Sequence, residues 1–267
     1  MYTKQDLLQQ LKNMKVPTDR MIHIHSSLRA VGDVEGRGQT VLDALVEHIT
    51  ADGGILCVPT HTWHLMFHSE RPTLDLTQAE TCVGTLSRLA IQDPRGIRTH
   101  NPTHSMVIFG DPSPIRARIE REATLLTHTA PEGVLGGLAE QDGFVLLIGV
   151  NHSSNTYLHC VEEMLRVPGR ILDQPIPVSV KKEDGTVEHR QIKTFDDSKT
   201  GDVSKKFPKF EPAFRHHGCI VDGKLGDAPV QLCRARGMKQ VLERIYSRND
   251  GKELLGDSLP LDPSLYQ

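Results

Sequence analysis

Aromatic residues are scarce in this 267-residue chain, at 4%. That leaves too few rings for the stacking platforms that hold single-stranded nucleic acid. Five cysteines (Cys57, Cys82, Cys160, Cys219, Cys233) are an odd number, form no CxxC pair and sit among apolar neighbours. The pattern fits reduced core thiols rather than a disulfide frame or a zinc knuckle. No apolar run approaches the ~20 residues of a bilayer span, and the opening MYTKQDLLQQLKNMK lacks the apolar stretch of a signal peptide. A soluble, cytoplasmic chain is expected. Charge of one sign is also missing: 31 basic against 34 acidic residues give −3, so neither nucleic acid nor an anionic membrane is signalled as a partner. GxSxG and GxxxxGK[ST] are absent, which removes the nucleophile elbow and the phosphate loop. Gly36-Arg-Gly-Gln-Thr-Val41 begins like a dinucleotide fingerprint but has no third glycine and follows no strand directly. It reads as a turn before a helix.

What is present is enough chain for one or two domains at ~100–200 residues each, with a core that needs neither disulfides nor a structural metal. An amphipathic start, Lys4 to Met14, precedes Met21-Ile-His-Ile-His25, which alternates with period two and stops at Ser26-Ser27. Val41, Leu42, Leu45, Val46 and Ile49 have helical spacing, and Ile55 to Val58 is a short strand ended by Pro59. Thr60 to Thr81 reads as a long irregular loop carrying the only tryptophan, Trp63. Helices are expected near Val83–Ile91, Pro114–Ala123 and Gly133–Glu140, and strands over Ser105–Phe109 and Gly143–Val150. The last strand feeds a segment that becomes helical up to Leu165. Strand and helix thus alternate to residue 165, the signature of a layered α/β/α sandwich with a mixed, partly parallel sheet. Beyond Pro168, Ile176–Val180 and Val187–Phe195 read as a β-hairpin around Asp184-Gly185. Lys199–Lys209 reads as a surface loop, Met238–Tyr246 as a closing helix, and the tail from Leu259 shows little pattern. The simplest organisation is one domain over 1–267: an α/β core to residue 170, a hairpin and loop excursion over 171–230, and a closing helix and tail over 231–267.

Fourteen histidines are a large complement, and several fall at strand ends. His23 and His25 lie on one face of the first strand. Metal hydrolases use such a pair, and His61 offers a third ligand, but no HExxH accompanies them; the alternative is a pair of satisfied strand-end imidazoles. His61 and His64 flank Trp63, while His100 and His104 flank the turn-forming Asn101-Pro102.

Several segments then come in order: His25-Ser-Ser-Leu28 after the first strand, Val58-Pro-Thr-His61 after the second, Pro102-Thr-His-Ser105 opening another, Leu147-Ile-Gly-Val150, Ser154-Asn-Thr156, and Leu158-His-Cys-Val-Glu162. As an ordered set, ending in SNTxLHxxE at a strand-to-helix junction, they resemble the aminoglycoside 3-N-acetyltransferase family, which moves acetyl from acetyl-coenzyme A to an antibiotic amine. The resemblance covers about residues 5 to 170 and continues weakly to Gly223-Lys-Leu-Gly226 and Arg234-Ala-Arg236. Members often carry His-Pro where this chain has Asn101-Pro102, leaving His104 as the imidazole there. The Trp63 loop is also shorter than in the well-known resistance enzymes, where that insert helps wall the antibiotic site.

Acetyl transfer to an amine needs a held thioester, a base to deprotonate the nucleophile, a place for oxyanion charge, and exclusion of water. His159 lies about one turn into a helix beyond the carboxyl end of the strongest strand, where ligands of open α/β sheets collect. Glu162 shares its helix face. Alone, that spacing also describes an ordinary polar face; the resemblance implies that His159 is the general base and Glu162 its orienting acid. It also implies a further acid near Asp196-Asp197, of which Asp197 is the candidate, and places the donor along Ser26, Ser27, Thr60, His104 and Ser105. No cysteine occupies a matched catalytic position, so direct transfer in a ternary complex is expected, without a metal. The implied acceptor is an aminoglycoside or similar amino sugar, and pairing with a second copy of the chain is left open.

Overall fold

A computed structural model describes residues 1–67, 72–78, 80–198, 201–257 and 259–267. The main sheet is built around β1 (Met21–Ser26), β2 (Ile55–Pro59), β5 (Met106–Phe109) and β6 (Phe144–Ile148). With β4 (Ile97–Arg98), β9 (Ile220–Leu225) and β10 (Ala228–Arg234), it has seven strands in the order β4-β5-β2-β1-β6-β10-β9. β1 runs parallel to β2 and β6, and the outer pairings are antiparallel. The alternation read from the sequence sorts side chains to two faces. Met21, Cys57, Val145 and Leu147 join one apolar cluster, with the helices Val134–Glu140, Tyr157–Met164 and Ala235–Asn249. Ile22, Ile24, Leu56, Leu146 and Ile148 join the other, with Lys4–Asn13, Arg37–Ile49 and Thr85–Gln92. Two helical layers around a mixed sheet give the expected sandwich.

The carboxyl ends of the three parallel strands lie together, because His25 pairs with Leu147 and Ser26 with Ile148, while His23 pairs with Cys57. Leaving β6, the chain turns at Gly149, whose φ of +65° lies in the left-handed region and where an added methyl would sit 2.4 Å from the Ala30 Cβ. Only glycine suits both conditions. Asn151 then caps the short turn His152–Ser154 by accepting from the Ser153 N–H at 2.9 Å, and the Tyr157–Met164 helix follows.

Four segments differ from the sequence reading. Thr60–Thr81 contains a 3₁₀ helix, Trp63–Phe67, and β3 (Thr73–Asp75); residues 68–71 and 79 lie outside the described residues. β3 pairs in parallel with β7 (Ile176–Lys181), so the hairpin of β7 and β8 (Val187–Ile192) becomes a separate three-stranded sheet. The expected surface loop Lys199–Lys209 (199 and 200 not described) contains most of a 3₁₀ helix, Val203–Phe210, whose Val203, Phe207 and Phe210 are buried in the core. Its lysines hide this from a composition reading, yet even Lys209 is buried, with its ammonium bonded to Glu253. Residues 220–234, read mostly as part of the excursion, form β9 and β10 of the main sheet. Four cysteines are buried free thiols; Cys82 is half-buried. Among the described residues no helix is long and apolar enough to cross a membrane.

A buried carboxyl holds the turn beside the site. Glu122 accepts from the Val134 N–H at 2.8 Å and from the Asn101 side-chain amide at 2.7 Å. Burial pushes its pKa up to about 7. The folded state therefore binds the Glu122 proton at pH values where the unfolded chain has released it, and this group's contribution to stability falls as pH rises from about 4.5 through 7. The stability advantage of wild type over Glu122→Gln should shrink between pH 5 and pH 8 in thermal melts. A difference that stays constant with pH contradicts this assignment.

Candidate active site

At the carboxyl ends of β1, β2 and β6 opens a cavity of about 810 Å³, a size suited to a small-molecule ligand. Its walls come from the strand ends (Ser26, Val58, Pro59), the turn before the Tyr157–Met164 helix (Ser153 to Thr156), the segment after β8 (Thr194, Phe195, Asp197), and Trp63 and Met66.

His159 lines this cavity with a ring that is 9% exposed. Its Nδ1 lies 2.9 Å from the Glu162 Oε2, one helical turn on. A carboxylate only accepts, so the proton of this bond sits on Nδ1; in a neutral ring that makes Nε2 the acceptor. Glu162 is buried and also accepts from the Arg170 Nε at 3.0 Å. Asp197 does not touch the imidazole; it accepts from the Arg170 Nη1 at 3.1 Å. Its neighbour Asp196 accepts from the Ser198 N–H and closes a local turn. Phe195 and Phe207 pack on the His159 ring with centroids 4.6 and 4.7 Å away.

A row of imidazoles forms another part of the wall. His61 and His104 have centroids 4.5 Å apart, and His104 stacks on His128 at 4.3 Å. Asn101 positions the pair: its Oδ1 accepts from the His104 N–H at 2.9 Å and its amide donates to the His128 carbonyl at 2.9 Å. Thus the residue that departs from His-Pro holds two other histidines. Burial lowers the pKa of His61 and of His128 to about 3, and pushes that of His104 well below its usual value. These rings are neutral at pH 7. His25 is likewise neutral, and its Nε2 accepts from the Thr156 N–H at 3.2 Å.

The five candidate donor-binding residues separate. Ser26 and His104 line the cavity. Thr60 and Ser105 are fully buried and bonded to each other, Oγ1 to Oγ, at 2.9 Å, with the Arg98 guanidinium also donating to Ser105. Ser27 precedes the Leu28–Val31 helix and is absent from the cavity wall. For the metal-hydrolase alternative, His23 and His25 do share a face, with ring centroids 4.7 Å apart. However, His23 is fully buried, and among the described residues no three His, Cys, Asp or Glu side chains converge as a ligand set. Sequence reasoning missed Arg170, His128 and Phe195. Arg170, only eight residues beyond Glu162, was the one with a signal in its position.

A family model described as aminoglycoside 3-N-acetyltransferase matches residues 23–247. Among similar proteins, YokD of Bacillus subtilis, an SPbeta prophage-derived aminoglycoside N(3')-acetyltransferase-like protein, is 23% identical, covering 94% of this chain and 95% of its own. Its crystal structure has a TM-score of 0.78 at 22% identity over the same shares of the two chains. A structure of AAC-IIIb with CoASH has a TM-score of 0.74 at 21% identity, covering 90% of this chain and 94% of that one. AAC-VIa bound to sisomicin has a TM-score of 0.70 at 19% identity, covering 90% and 95%. Likeness at such identities establishes the fold, and the family model, spanning most of the chain, establishes the family. The chain belongs to the aminoglycoside 3-N-acetyltransferase family, acetyl-coenzyme A-dependent acyltransferases.

Proposed function

We propose that this protein transfers acetyl from acetyl-coenzyme A to an amine of an aminoglycoside or similar amino sugar, with His159 as general base and Glu162 as its orienting acid. The observation that carries the reading is the His159 ring, bonded at Nδ1 to buried Glu162 and bordering the cavity. An alkylammonium must lose a proton before its nitrogen can attack. His159 Nε2 takes the proton from the attacking nitrogen, the nitrogen bonds to the thioester carbon, and the C–S bond breaks. The departing sulfur takes the proton back from the imidazolium, while the second proton of the ammonium leaves to solvent. Glu162 stabilises the transient imidazolium, as a triad acid does.

Polar atoms of the cavity suit such a pair of substrates. Asn155 Oδ1, His61 Nε2 and His128 Nδ1 are buried and lack a hydrogen-bond partner, and all three residues line the cavity. They can meet the amides and hydroxyls of a pantetheine arm or sugar. Neutral His104, with Nδ1 3.0 Å from the Thr103 hydroxyl, can accept that hydroxyl's proton and direct an Nε2–H at developing oxyanion charge. Ser26 lies at the same strand end, whereas Ser27, Thr60 and Ser105 act behind the wall, holding its turns. The coenzyme-bound and sisomicin-bound relatives support both ligand classes. No cysteine lines the cavity among the described residues, which supports direct transfer.

His159→Ala should lower kcat by ~10²–10⁴ while coenzyme A affinity stays within about twofold. A variant with full turnover removes His159 from the mechanism. Thiol release from acetyl-coenzyme A should depend on added amine across a panel of aminoglycosides and amino sugars, with the acetylated product seen by mass. Failure of every such acceptor, in protein that binds the coenzyme, contradicts the substrate assignment.

A further inference from the structure

Arg170 is 2% exposed and lies behind the cavity wall, bonded to Glu162 and Asp197. The Tyr157–Met164 helix is closed off at Arg166, whose φ is +52°, and the chain then doubles back beneath the helix. Residues 170–172 pair with 194–196: the Asp196 N–H donates to the Arg170 carbonyl at 2.9 Å, the Leu172 N–H to the Thr194 carbonyl at 2.9 Å, and Ile171 bridges Phe195 antiparallel. This pairing sets the guanidinium carbon 4.0 Å above the Phe195 ring. From there one side chain reaches three partners: Glu162 at 3.0 Å, Asp197 at 3.1 Å, and the His159 Nδ1 at 3.3 Å. The last is a close approach rather than a bond, because Nδ1 gives its proton to Glu162.

We infer that Arg170 is a positioning residue for acetyl transfer, whose guanidinium fixes the Glu162 carboxylate against His159 and offsets its charge. The inference rests on the reading of His159 as the base. Glu162, Arg170 and Asp197 together carry one net negative charge, which a protonated His159 neutralises. Without Arg170, the buried Glu162 carboxylate faces the ring with its charge uncompensated, which favours the protonated imidazole over the free base. Other groups that sense the ring do not supply this control. Glu163 on the same helix is largely buried and bonded to the Thr127 and Thr129 hydroxyls, and burial raises its pKa. His61, His104 and His128 are neutral, and Asp202 at the cavity edge is engaged by the Ser204 N–H. A planar fork is needed because the partners lie in different directions; a lysine keeps the charge but not the span.

The test compares wild type, Arg170→Met and Arg170→Lys for the pH dependence of kcat, for coenzyme A affinity, and for the pH at which ring signals of His159 change in histidine-labelled protein, assigned with His159→Ala. Arg170→Met should move the acid limb and the His159 transition upward by about one pH unit, with turnover partly recovered at high pH and coenzyme affinity retained. Arg170→Lys should keep the transition near that of wild type but lower kcat at every pH. An unmoved transition in folded Arg170→Met overturns the inference. Should Arg170→Met fail to fold, Arg170→Lys with full wild-type kcat overturns it instead. A His159 transition that shifts while His159→Ala retains full turnover leaves the array intact and contradicts only the reading of His159 as base.

Discussion

The site depends on a buried hydrogen-bonded array in which the Glu162 carboxylate is shared between the His159 imidazole and the Arg170 guanidinium. Ions are costly to bury unless their partners are fixed, and breaking such a pair destabilises a protein far more than its presence stabilises it. The fold meets this demand by bringing three stretches together. Helix spacing places Glu162 under His159, the left-handed turn at Arg166 returns the chain with Arg170, and backbone pairing after β8 delivers Asp197. Each contact requires the others, so the array is a tertiary feature rather than a property of the helix.

Across the cavity, the chemistry is that of uncharged donors and acceptors. Burial keeps His25, His61, His104 and His128 neutral, which leaves the wall polar without charge. Hydrogen bonds made at such a buried wall are strengthened by exclusion of water. Asn101 joins this wall to the helical layer through Glu122.

Much of the architecture was legible because the period-two pattern of β1 marks a strand and the unbroken apolar run Phe144–Ile148 marks one buried in the sheet's centre. β9 and β10 are obscured because Val221-Asp-Gly-Lys224 and Pro229 dilute the alternation, and because β9 is an edge strand with Val221 left half exposed. Val203–Phe210 was hidden by its lysines, although Val203, Phe207, Phe210 and even Lys209 turn inward. Within the site, the His159–Glu162 spacing is local and readable. Arg170 is near Glu162 in sequence, but only the chain reversal at Arg166 brings it to the carboxylate, and His128 arrives by the Asn101 turn. Thr60 and Ser105 sit at strand ends, as free hydroxyl donors would, but bond to each other, which only the β2–β5 pairing reveals.

The central claim is that a neutral imidazole at position 159 takes the proton of the attacking amine. Its most direct test is chemical rescue of His159→Ala by free imidazole at saturating acetyl-coenzyme A and acceptor. The account predicts turnover that rises with the concentration of unprotonated imidazole and is insensitive to the imidazolium form. Turnover in that variant unaffected by imidazole, with imidazole bound in the vacated space, would contradict it.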